Sequence, residues 1–332
     1  MKASEAPPGA RPLENKVALV AGATRGAGRG IATMLGEAGA TVYCTGRSTR
    51  ANRTPPGEGE WERAFGLSSR PETIDETAEL VNAQGGKGIA VQVDHTRPEE
   101  VKALLERIAT ESGRLDVLVN DVWGGDELSE WGKPFWELSL SKGLALLERA
   151  IGSHLVTARL AAPLMVAQRS GLIVEITDGD SLAYRGSLFY DLAKVSVIRL
   201  AFVMAEELRS HGVTALAVTP GFLRSEAMLD YFGVSETNWR DGGAKEPHFL
   251  ASETPSYVGR AVAALAADPN VAAKSGQVLS SWDLQREYGF VDADGRTPNW
   301  GDHFATRGAE EQHASHDRFV AGFAASRERS RE

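Results

Sequence analysis

Several residue types and patterns are scarce in this 332-residue sequence, and each scarcity excludes a class of protein. The single cysteine, Cys44, cannot form an intrachain disulfide, which fits a reducing cytosol, and its apolar surroundings predict a small buried side chain. Basic residues are outnumbered by acidic ones, 36 to 45, and the net charge is −9. This balance argues against nucleic acid or an anionic membrane surface as the main partner, and we expect a cytoplasmic protein.

Long apolar runs and metal-ligand patterns are lacking as well. No stretch approaches the roughly 18 apolar residues of a membrane helix, and the N-terminus has no apolar run of signal-peptide length. Residues 1–14 are rich in Pro, Ala and Gly, which predicts a disordered tail. His and acidic residues show no metal-binding spacing, so we expect no metal. Apolar residues, at 42%, are sufficient for a sizeable core.

Short apolar strands alternate with helical patterns along most of the chain. Lys16 to Ala21 is continuously apolar, as in a strand whose sheet is covered on both faces. Thr73 to Glu76 and Thr96 to Glu99 have the sequence of helix capping boxes, and Thr254-Pro255 that of a helix start. The alternation predicts a Rossmann-type doubly wound parallel sheet in three α/β/α layers, as one domain over residues 15–300.

Two long loops and a C-terminal segment interrupt or follow this pattern. Residues 121–137 and 222–252 are rich in aromatic side chains and should border a pocket, which suggests a large, apolar substrate. A long helix is expected from about Leu144 to Arg169. Residues 301–332 are charged and weakly patterned, and we interpret them as a tail or arm.

A glycine-rich segment follows the first predicted strand. Gly22, Gly26 and Gly28 lie between this strand and the next helix. Glycine permits a tight turn and a close approach of the backbone to a pyrophosphate, which the helix N-terminus then binds. Placed after the first strand of a βαβ unit, the pattern is a specific signal for a dinucleotide.

The end of the second predicted strand selects the cofactor. A site for NAD usually carries an acidic residue there, for the ribose 2′-hydroxyl. This strand instead ends at Gly46 and Arg47, with no acid. Arg47 and Arg25 could together bind a 2′-phosphate through charge-assisted hydrogen bonds. The sequence therefore predicts NADP(H).

With these residues in view, the chain resembles the short-chain dehydrogenase/reductase family from about Asn15 to Ser280. Ala21 replaces the Thr of the family's TGxxxGxG motif, and Tyr190 and Lys194 match YxxxK. Lys133 to Glu137 (KPFWE) and the context of Tyr190 resemble one subgroup. The resemblance implies a Rossmann fold, a nicotinamide cofactor and a homodimer or homotetramer. The cofactor-binding positions it implies are Gly22, Thr24, Arg25, Gly26, Ala27, Gly28, Arg47, Ser48, Asp94, His95, Asn120, Tyr190, Lys194, Pro220, Gly221 and Leu223.

Tyr190 and Lys194 are four residues apart on a predicted helix and so share one face. A phenol with a pKa near 10 is a poor base at neutral pH. A nearby ammonium, together with the cofactor, stabilises the phenolate, so Tyr190 can exchange a proton with the substrate oxygen while hydride moves. The pair predicts a catalytic acid and base.

Two positions depart from the family. The catalytic Ser should end the fifth strand, and ungapped matching to the subgroup places Asp178 there. The usual family spacing favours Thr177, and Ser181 is a third candidate. Ala150 stands where the family has an Asn that relays protons through Lys, so the relay would use water or another group. His154 is expected to be a packing residue, and His248 a surface residue.

These residues together predict an NADP-dependent enzyme that transfers hydride between nicotinamide and a carbonyl or secondary alcohol of an apolar substrate. Asp178 and Ala150 leave two alternatives open. One is a cofactor-binding sensor or scaffold whose catalysis has decayed. The other is an epimerase or dehydratase on the same fold, with Asp178 as acid or base.

Overall fold

A computed structural model describes residues 11–51, 70–307 and 310–329. Seven parallel strands form one sheet in the order β3-β2-β1-β4-β5-β6-β7, which confirms the predicted fold class. The strands are β1 Val17–Ala21, β2 Thr41–Gly46, β3 Lys87–Gln92, β4 Val117–Asn120, β5 Gly171–Ile176, β6 Val213–Thr219 and β7 Val278–Ser280.

Helices cover both faces of this sheet because its strands are apolar on both sides. The helices are α1 Gly26–Glu37, α2 Ile74–Ala83, α3 Pro98–Ser112, α4 Leu140–Leu147, α5 Ser153–Gln168, α6 Leu188–Leu208, α7 Glu226–Phe232, α8 Pro255–Ala267, α9 Ser281–Tyr288, α10 Trp300–Arg307 and α11 Glu310–Arg329. Residues of α1 and α8 line one core, and residues of α3 and α5 line the other. The strand order reverses between β1 and β4, and such switch points are where open α/β sheets bind ligands.

The helix starts show where local sequence was informative. Thr73 caps α2 in a complete capping box with Glu76, as predicted. The second predicted box, at Thr96, is wrong. Helix α3 begins at Pro98 with Arg97 before it, and the Thr96 hydroxyl donates to Asp94 Oδ1 at 2.7 Å. A carboxylate two residues upstream competes successfully for the hydroxyl that would have capped the helix.

The long helix expected from Leu144 begins earlier and changes its winding. Helix α4 starts at Leu140, and a π-helical turn at Glu148–Gly152 joins it to α5. The expectation that no stretch approaches a membrane helix is wrong by length and composition alone, because residues 140–168 meet both criteria, with 39% of the most apolar part buried. In the fold, α5 packs on β4, β5 and α3, so much of that apolar character serves the core.

Three segments for which the sequence predicted no helix or strand contain ordered structure. Within residues 222–252 lie α7 and two 3₁₀ turns, Trp239–Ala244 and Pro247–Ala251. The C-terminal arm forms α10 and α11. Of the expected N-terminal tail, residues 1–10 lie outside the described part of the chain. Leu13 is buried and donates its N–H to Ala38 O at 2.9 Å, so residues 11–14 pack against the fold.

Candidate active site

The glycine segment forms a turn so tight that it excludes side chains. Gly22 has φ +94°, and a Cβ atom there would lie 2.5 Å from Asp121 O. A Cβ atom on Gly28 would lie 2.3 Å from Gly22 O. Gly26 has φ +57° and the nearest atoms, on Leu223 and Ser225, are 3.9 Å from its Cβ position. The turn is therefore closed on the sheet side, and beside the buried Gly26 its neighbours are at ordinary contact distance.

The loop after β6 closes over this turn. The Glu226 carboxylate accepts the Gly26 N–H at 2.9 Å, so the N-terminus of α1 accepts an anionic group from α7. Behind the loop, Gly221 N–H and the Ser281 hydroxyl donate to Glu253 Oε2 at 2.9 and 2.6 Å. Burial raises the pKa of Glu253 to about 8. These contacts hold Pro220, Gly221 and Leu223 at the carboxyl edge of the sheet, beside the turn.

The two arginines predicted to bind a phosphate have different surroundings. Arg25 lies 3.8 Å from Glu72, which is also bound twice by Arg70. The buried Arg25 Nε has no hydrogen-bond partner among the described residues, and burial lowers the pKa of Arg25. Arg47 is exposed, and its positive charge lies near Asp94. Arg25 Nε is thus ion-paired but makes no hydrogen bond within the described part of the chain, whereas Arg47 is accessible.

Other predicted cofactor residues serve the fold through their side chains. Both His95 ring nitrogens are hydrogen-bonded to threonines, Thr45 at 2.8 Å and Thr157 at 2.9 Å, and burial lowers the pKa of His95 to about 4. The His95 side chain therefore points into the core, and only its backbone could contact a ligand. Asn120 is fully buried and donates to Glu175 Oε1 at 2.8 Å.

Thr24, Ala27 and Ser48 lie where the sequence places them, around the glycine turn and the end of β2. A Cβ atom on Gly46 would lie 2.6 Å from Thr24 Oγ1, so the turn and the strand end are in close contact. Ala27 is buried in the first turn of α1. Ser48 is buried, and its carbonyl accepts Ile74 N–H at 3.1 Å. Thr24 therefore lies against the end of β2, which directly precedes Arg47.

Tyr190, Lys194 and Asp178 meet at the carboxyl end of β5. Tyr190 and Lys194 occupy the first two turns of α6, and the Tyr190 hydroxyl donates to Asp178 Oδ2 at 2.7 Å. Burial raises the pKa of Tyr190 well above its ordinary value, and the Asp178 charge adds to this rise. Burial lowers the pKa of Lys194. An ammonium of reduced pKa thus lies beside a phenol that is hard to ionise.

The other two candidates for the Ser position face elsewhere. Thr177 is buried, and its hydroxyl donates to Lys194 O at 2.7 Å, so it secures the backbone of α6 and not a substrate. Ser181 Oγ accepts the Ala183 N–H at 3.3 Å, within the loop that Arg185 holds through four backbone carbonyls. Of the three candidates, Asp178 is the one in contact with Tyr190.

Aromatic rings pack around the phenol. Trp123 and Trp131 lie 5.3 and 4.9 Å from the Tyr190 ring, measured between centroids. Lys194 Nζ lies 4.1 Å from the centroid of the Trp123 ring, close enough for a cation–π interaction. Trp123 Nε1 donates to Asp126 at 2.7 Å, which fixes the plane of the ring. The wall of the site therefore consists of apolar aromatic rings whose faces can also bind a positive charge.

A buried polar network and a small cavity lie behind Lys194. His154 Nδ1 is 2.5 Å from Glu175 Oε2, and His154 Nε2 is 3.0 Å from Val122 O. A cavity of about 20 Å³, room for about one water, is lined by Ala150, His154, Asp121 and Lys194 among others. The cavity lies where the short Ala150 side chain leaves space.

Sequence reasoning missed four carboxylates of this site: Asp121, Glu175, Glu226 and Glu253. A signal existed for two of them. Glu175 interrupts an otherwise apolar strand, and an acid there must have a buried partner. Asp121 directly follows Asn120, and burial raises its pKa to about 7. Glu226 and Glu253 contact residues far away in the chain, which no local pattern reveals.

The geometry at this edge of the sheet defines a class of protein, a nucleotide-binding oxidoreductase. The family model for short chain dehydrogenase matches residues 57–232. The chain belongs to the short-chain dehydrogenase/reductase family. It is 36% identical over 289 residues to dehydrogenase/reductase SDR family member 1 of Mus musculus, covering 86% of this chain and 85% of the relative. The sequence predicted a resemblance to the subgroup of dehydrogenase/reductase SDR family member 1 and its bacterial relatives, and this comparison confirms it.

Other relatives and solved structures are also short-chain dehydrogenases/reductases or share their fold. The chain is 29% identical over 258 residues to a 3-oxoacyl-acyl-carrier-protein reductase FabG of Staphylococcus epidermidis, covering 74% of this chain and 94% of the relative. A putative short-chain dehydrogenase/reductase from Burkholderia xenovorans matches with a TM-score of 0.63 and 26% identity, covering 81% of this chain and 95% of the other. A putative dehydrogenase from Xanthomonas campestris, with a TM-score of 0.67 and 21% identity over 86% and 94%, shows the fold alone.

The family uses a nicotinamide cofactor, and the residues present fit one. An α1 N-terminus that already accepts a carboxylate, and the Arg25 Nε, which makes no hydrogen bond to a described residue, suit the anionic half of a dinucleotide. Tyr190 and Lys194 lie at the same edge of the sheet. A bound nicotinamide would supply or accept the hydride there.

Proposed function

We propose that this protein is an NADP(H)-dependent oxidoreductase acting on a carbonyl group or secondary alcohol of an apolar substrate. The contact among Tyr190, Lys194 and their aromatic wall carries the proposal. Tyr190 supplies the acid or base, and Trp123 and Trp131 exclude water from its ring. Gly26 and Ala27 would hold the phosphates together with Arg25, in place of the Glu226 carboxylate that accepts the Gly26 N–H in this structure. The exposed Arg47 supports the preference for NADP(H).

In this proposal each residue has a stated task. Lys194 Nζ lies 5.5 Å from the centroid of the Tyr190 ring, and its positive charge would lower the cost of a phenolate in a site where burial raises the pKa of Tyr190. Thr177 holds the Lys194 carbonyl, so the first turns of α6 stay in register with β5. The cavity beside Ala150 has room for one water. Such a water would relay a proton between Lys194 and His154, which both line the cavity.

Purified protein mixed with NADPH or NADH and a panel of bulky ketones tests the proposal, with absorbance followed at the nicotinamide band. We expect oxidation of NADPH with at least one ketone, and a lower rate with NADH. Tight NADPH binding without turnover of any acceptor would instead support the sensor. Conversion of a substrate without net change in the nicotinamide band would support the epimerase or dehydratase.

We also propose a cytoplasmic homodimer or homotetramer. Several apolar side chains of α4, α5 and α6 are exposed: Leu140, Leu144, Leu155, Leu192, Phe202 and Val203. Exposed apolar area on neighbouring helices supports an interface with a second copy. Light scattering on the purified protein checks this, and a monomeric mass at micromolar concentration would contradict it.

A further inference from the structure

The carboxylate of Asp178 is the partner of the proton-donating phenol, and this affects which acceptor the site suits. When a carbonyl is reduced, its oxygen gains negative charge, and neutral or positive donors stabilise it. An ionised carboxylate cannot donate a hydrogen bond, and it repels the developing charge. A cationic C=N group behaves in the opposite way, because it arrives with positive charge and loses it as hydride adds.

Further charges around Tyr190 favour a cation. Asp126 is bonded to Trp123, whose ring packs on Tyr190, and its charge raises the pKa of Tyr190 as that of Asp178 does. Arg185 is a nearby cation whose charge acts in the opposite direction and lowers the pKa of Tyr190. It donates to the backbone carbonyls of the catalytic loop, including Asp178 O at 2.5 Å. Its donors are therefore occupied by the loop.

The aromatic wall provides an independent observation. The Trp123 ring already holds the ammonium of Lys194 at 4.1 Å from its centroid, so a ring face in this site accepts positive charge. Trp131 offers a second ring beside Tyr190. Aromatic faces and an exposed carboxylate are the usual means by which proteins bind organic cations.

We infer that the acceptor class of this site is an iminium, a positively charged C=N group on an apolar skeleton, in preference to the matching ketone. The inference rests on the proposed hydride-transfer function. Hydride from the reduced cofactor forms a C–H bond at the C=N carbon, and the π electron pair moves to nitrogen. The iminium becomes a neutral amine and the cofactor is oxidised. No proton is needed when nitrogen carries the charge permanently.

The first test compares two bicyclic acceptors of nearly equal size with NADPH: the N-methyl dihydroisoquinolinium cation and α-tetralone. In the wild type we expect kcat/KM for the cation to exceed that for the ketone by at least about tenfold. Asp178→Asn should lower kcat/KM for the cation by about tenfold or more, and Asp178→Ser should reverse the preference. Asp180→Asn, which removes an exposed charge two residues away, is the matched control.

The outcomes separate the inference from the proposed function. A wild type that prefers the ketone, or a preference unchanged in Asp178→Ser, would overturn the iminium assignment while leaving hydride transfer intact. Failure to oxidise NADPH with either acceptor would count against the proposed function instead.

A second test does not depend on turnover. Binding of the protonated amine product, N-methyl tetrahydroisoquinoline, is measured by calorimetry against the neutral alcohol α-tetralol. We expect Asp178→Asn to weaken binding of the cation by about tenfold and to leave the alcohol unaffected. Equal affinity of the wild type for cation and alcohol would overturn the inference even in a protein that turned over neither acceptor.

Discussion

The glycine turn and the catalytic segment lie at the same edge of the sheet, yet they keep to the family pattern to different degrees. Gly22, Gly26 and Gly28 match it, because two of them have no room for a Cβ atom and Gly26 needs a positive φ. At the catalytic segment, Tyr190 and Lys194 match while Asp178 and Ala150 do not. The backbone of the glycine turn leaves no room for a side chain at Gly22 or Gly28. At the catalytic segment a side chain can be replaced, as at Asp178 and Ala150, when the groups around it differ as well.

The largest expected effect concerns the catalytic segment. Tyr190→Phe removes the hydroxyl that would exchange a proton, so turnover of a ketone should fall by about a hundredfold to ten-thousandfold. NADPH affinity, measured by calorimetry, should stay nearly unchanged, whereas Lys194→Ala should reduce both. Tyr184→Phe, at a neighbouring exposed tyrosine, is the matched control. Wild-type turnover in Tyr190→Phe would assign proton transfer to another group.

Asp121 connects the two regions, because its carboxylate accepts the Gly28 N–H and its charge lies near Lys194. Burial raises its folded-state pKa to about 7 from an ordinary 3.8, so the folded protein binds a proton that the unfolded chain releases. The proton bound to Asp121 in the folded state adds to the free energy of unfolding. This contribution is fully present below about pH 4 and is lost as pH rises to about 7. Asp121→Asn should remove that loss, by at most about 4 kcal/mol.

Urea unfolding of the wild type and Asp121→Asn, measured between pH 4 and 8, checks this. The difference in free energy of unfolding between the two should grow with pH in favour of the variant, and Asp180→Asn should show no such trend. A constant difference across that range would place the pKa of Asp121 near its ordinary value.

The glycine turn itself should be intolerant of a methyl group. Gly22→Ala combines a positive φ with a clash against backbone, and should lower the free energy of unfolding by about 3 kcal/mol. Gly113→Ala has a similar φ, +70°, and nothing within 4 Å of its Cβ position. It should lower the same quantity by only about 1 kcal/mol. Equal losses would mean that backbone strain alone sets the requirement at Gly22.

The smallest expected effect lies at the cofactor end. Arg47→Ala should weaken NADPH binding by about tenfold to a hundredfold, or about 1.5–3 kcal/mol, and leave NADH binding unchanged. Arg50→Ala is the control, because Arg50 is exposed and already paired with Glu79. Titration with both cofactors checks this. Equal wild-type affinity for NADH and NADPH would contradict the NADP(H) assignment.

Sequence patterns predicted the parts of the molecule that depend on near neighbours. The parallel sheet, the glycine turn, the Thr73 cap and the Tyr190–Lys194 face all follow from periodicity or from contacts within a few residues. The same reasoning failed at Thr96, where Asp94 competes for the hydroxyl, and at the π turn around Ala150. Whether a polar side chain bonds locally or across the fold depends on tertiary packing, which local sequence does not encode.

The choice among Asp178, Thr177 and Ser181 shows the same limit. All three lie within five residues and all can form hydrogen bonds, so spacing could not separate them. Thr177 is taken by the Lys194 carbonyl, a contact that exists because α6 packs against the end of β5. Geometry between elements, absent from the sequence pattern, leaves Asp178 against Tyr190.

The contacts of helix α7 close a ring around the glycine turn. Glu226, at the start of the helix, accepts the Gly26 N–H, and Asp230, one turn later, pairs with Arg70 at 2.7 Å. Arg70 in turn binds Glu72, the partner of Arg25 in the same turn. The Asp230 side chain is 66% exposed, so dissolved salt weakens this ring at that point first. Because the same ion pairs connect helix α7 and the glycine turn, a rise in ionic strength should loosen both segments together.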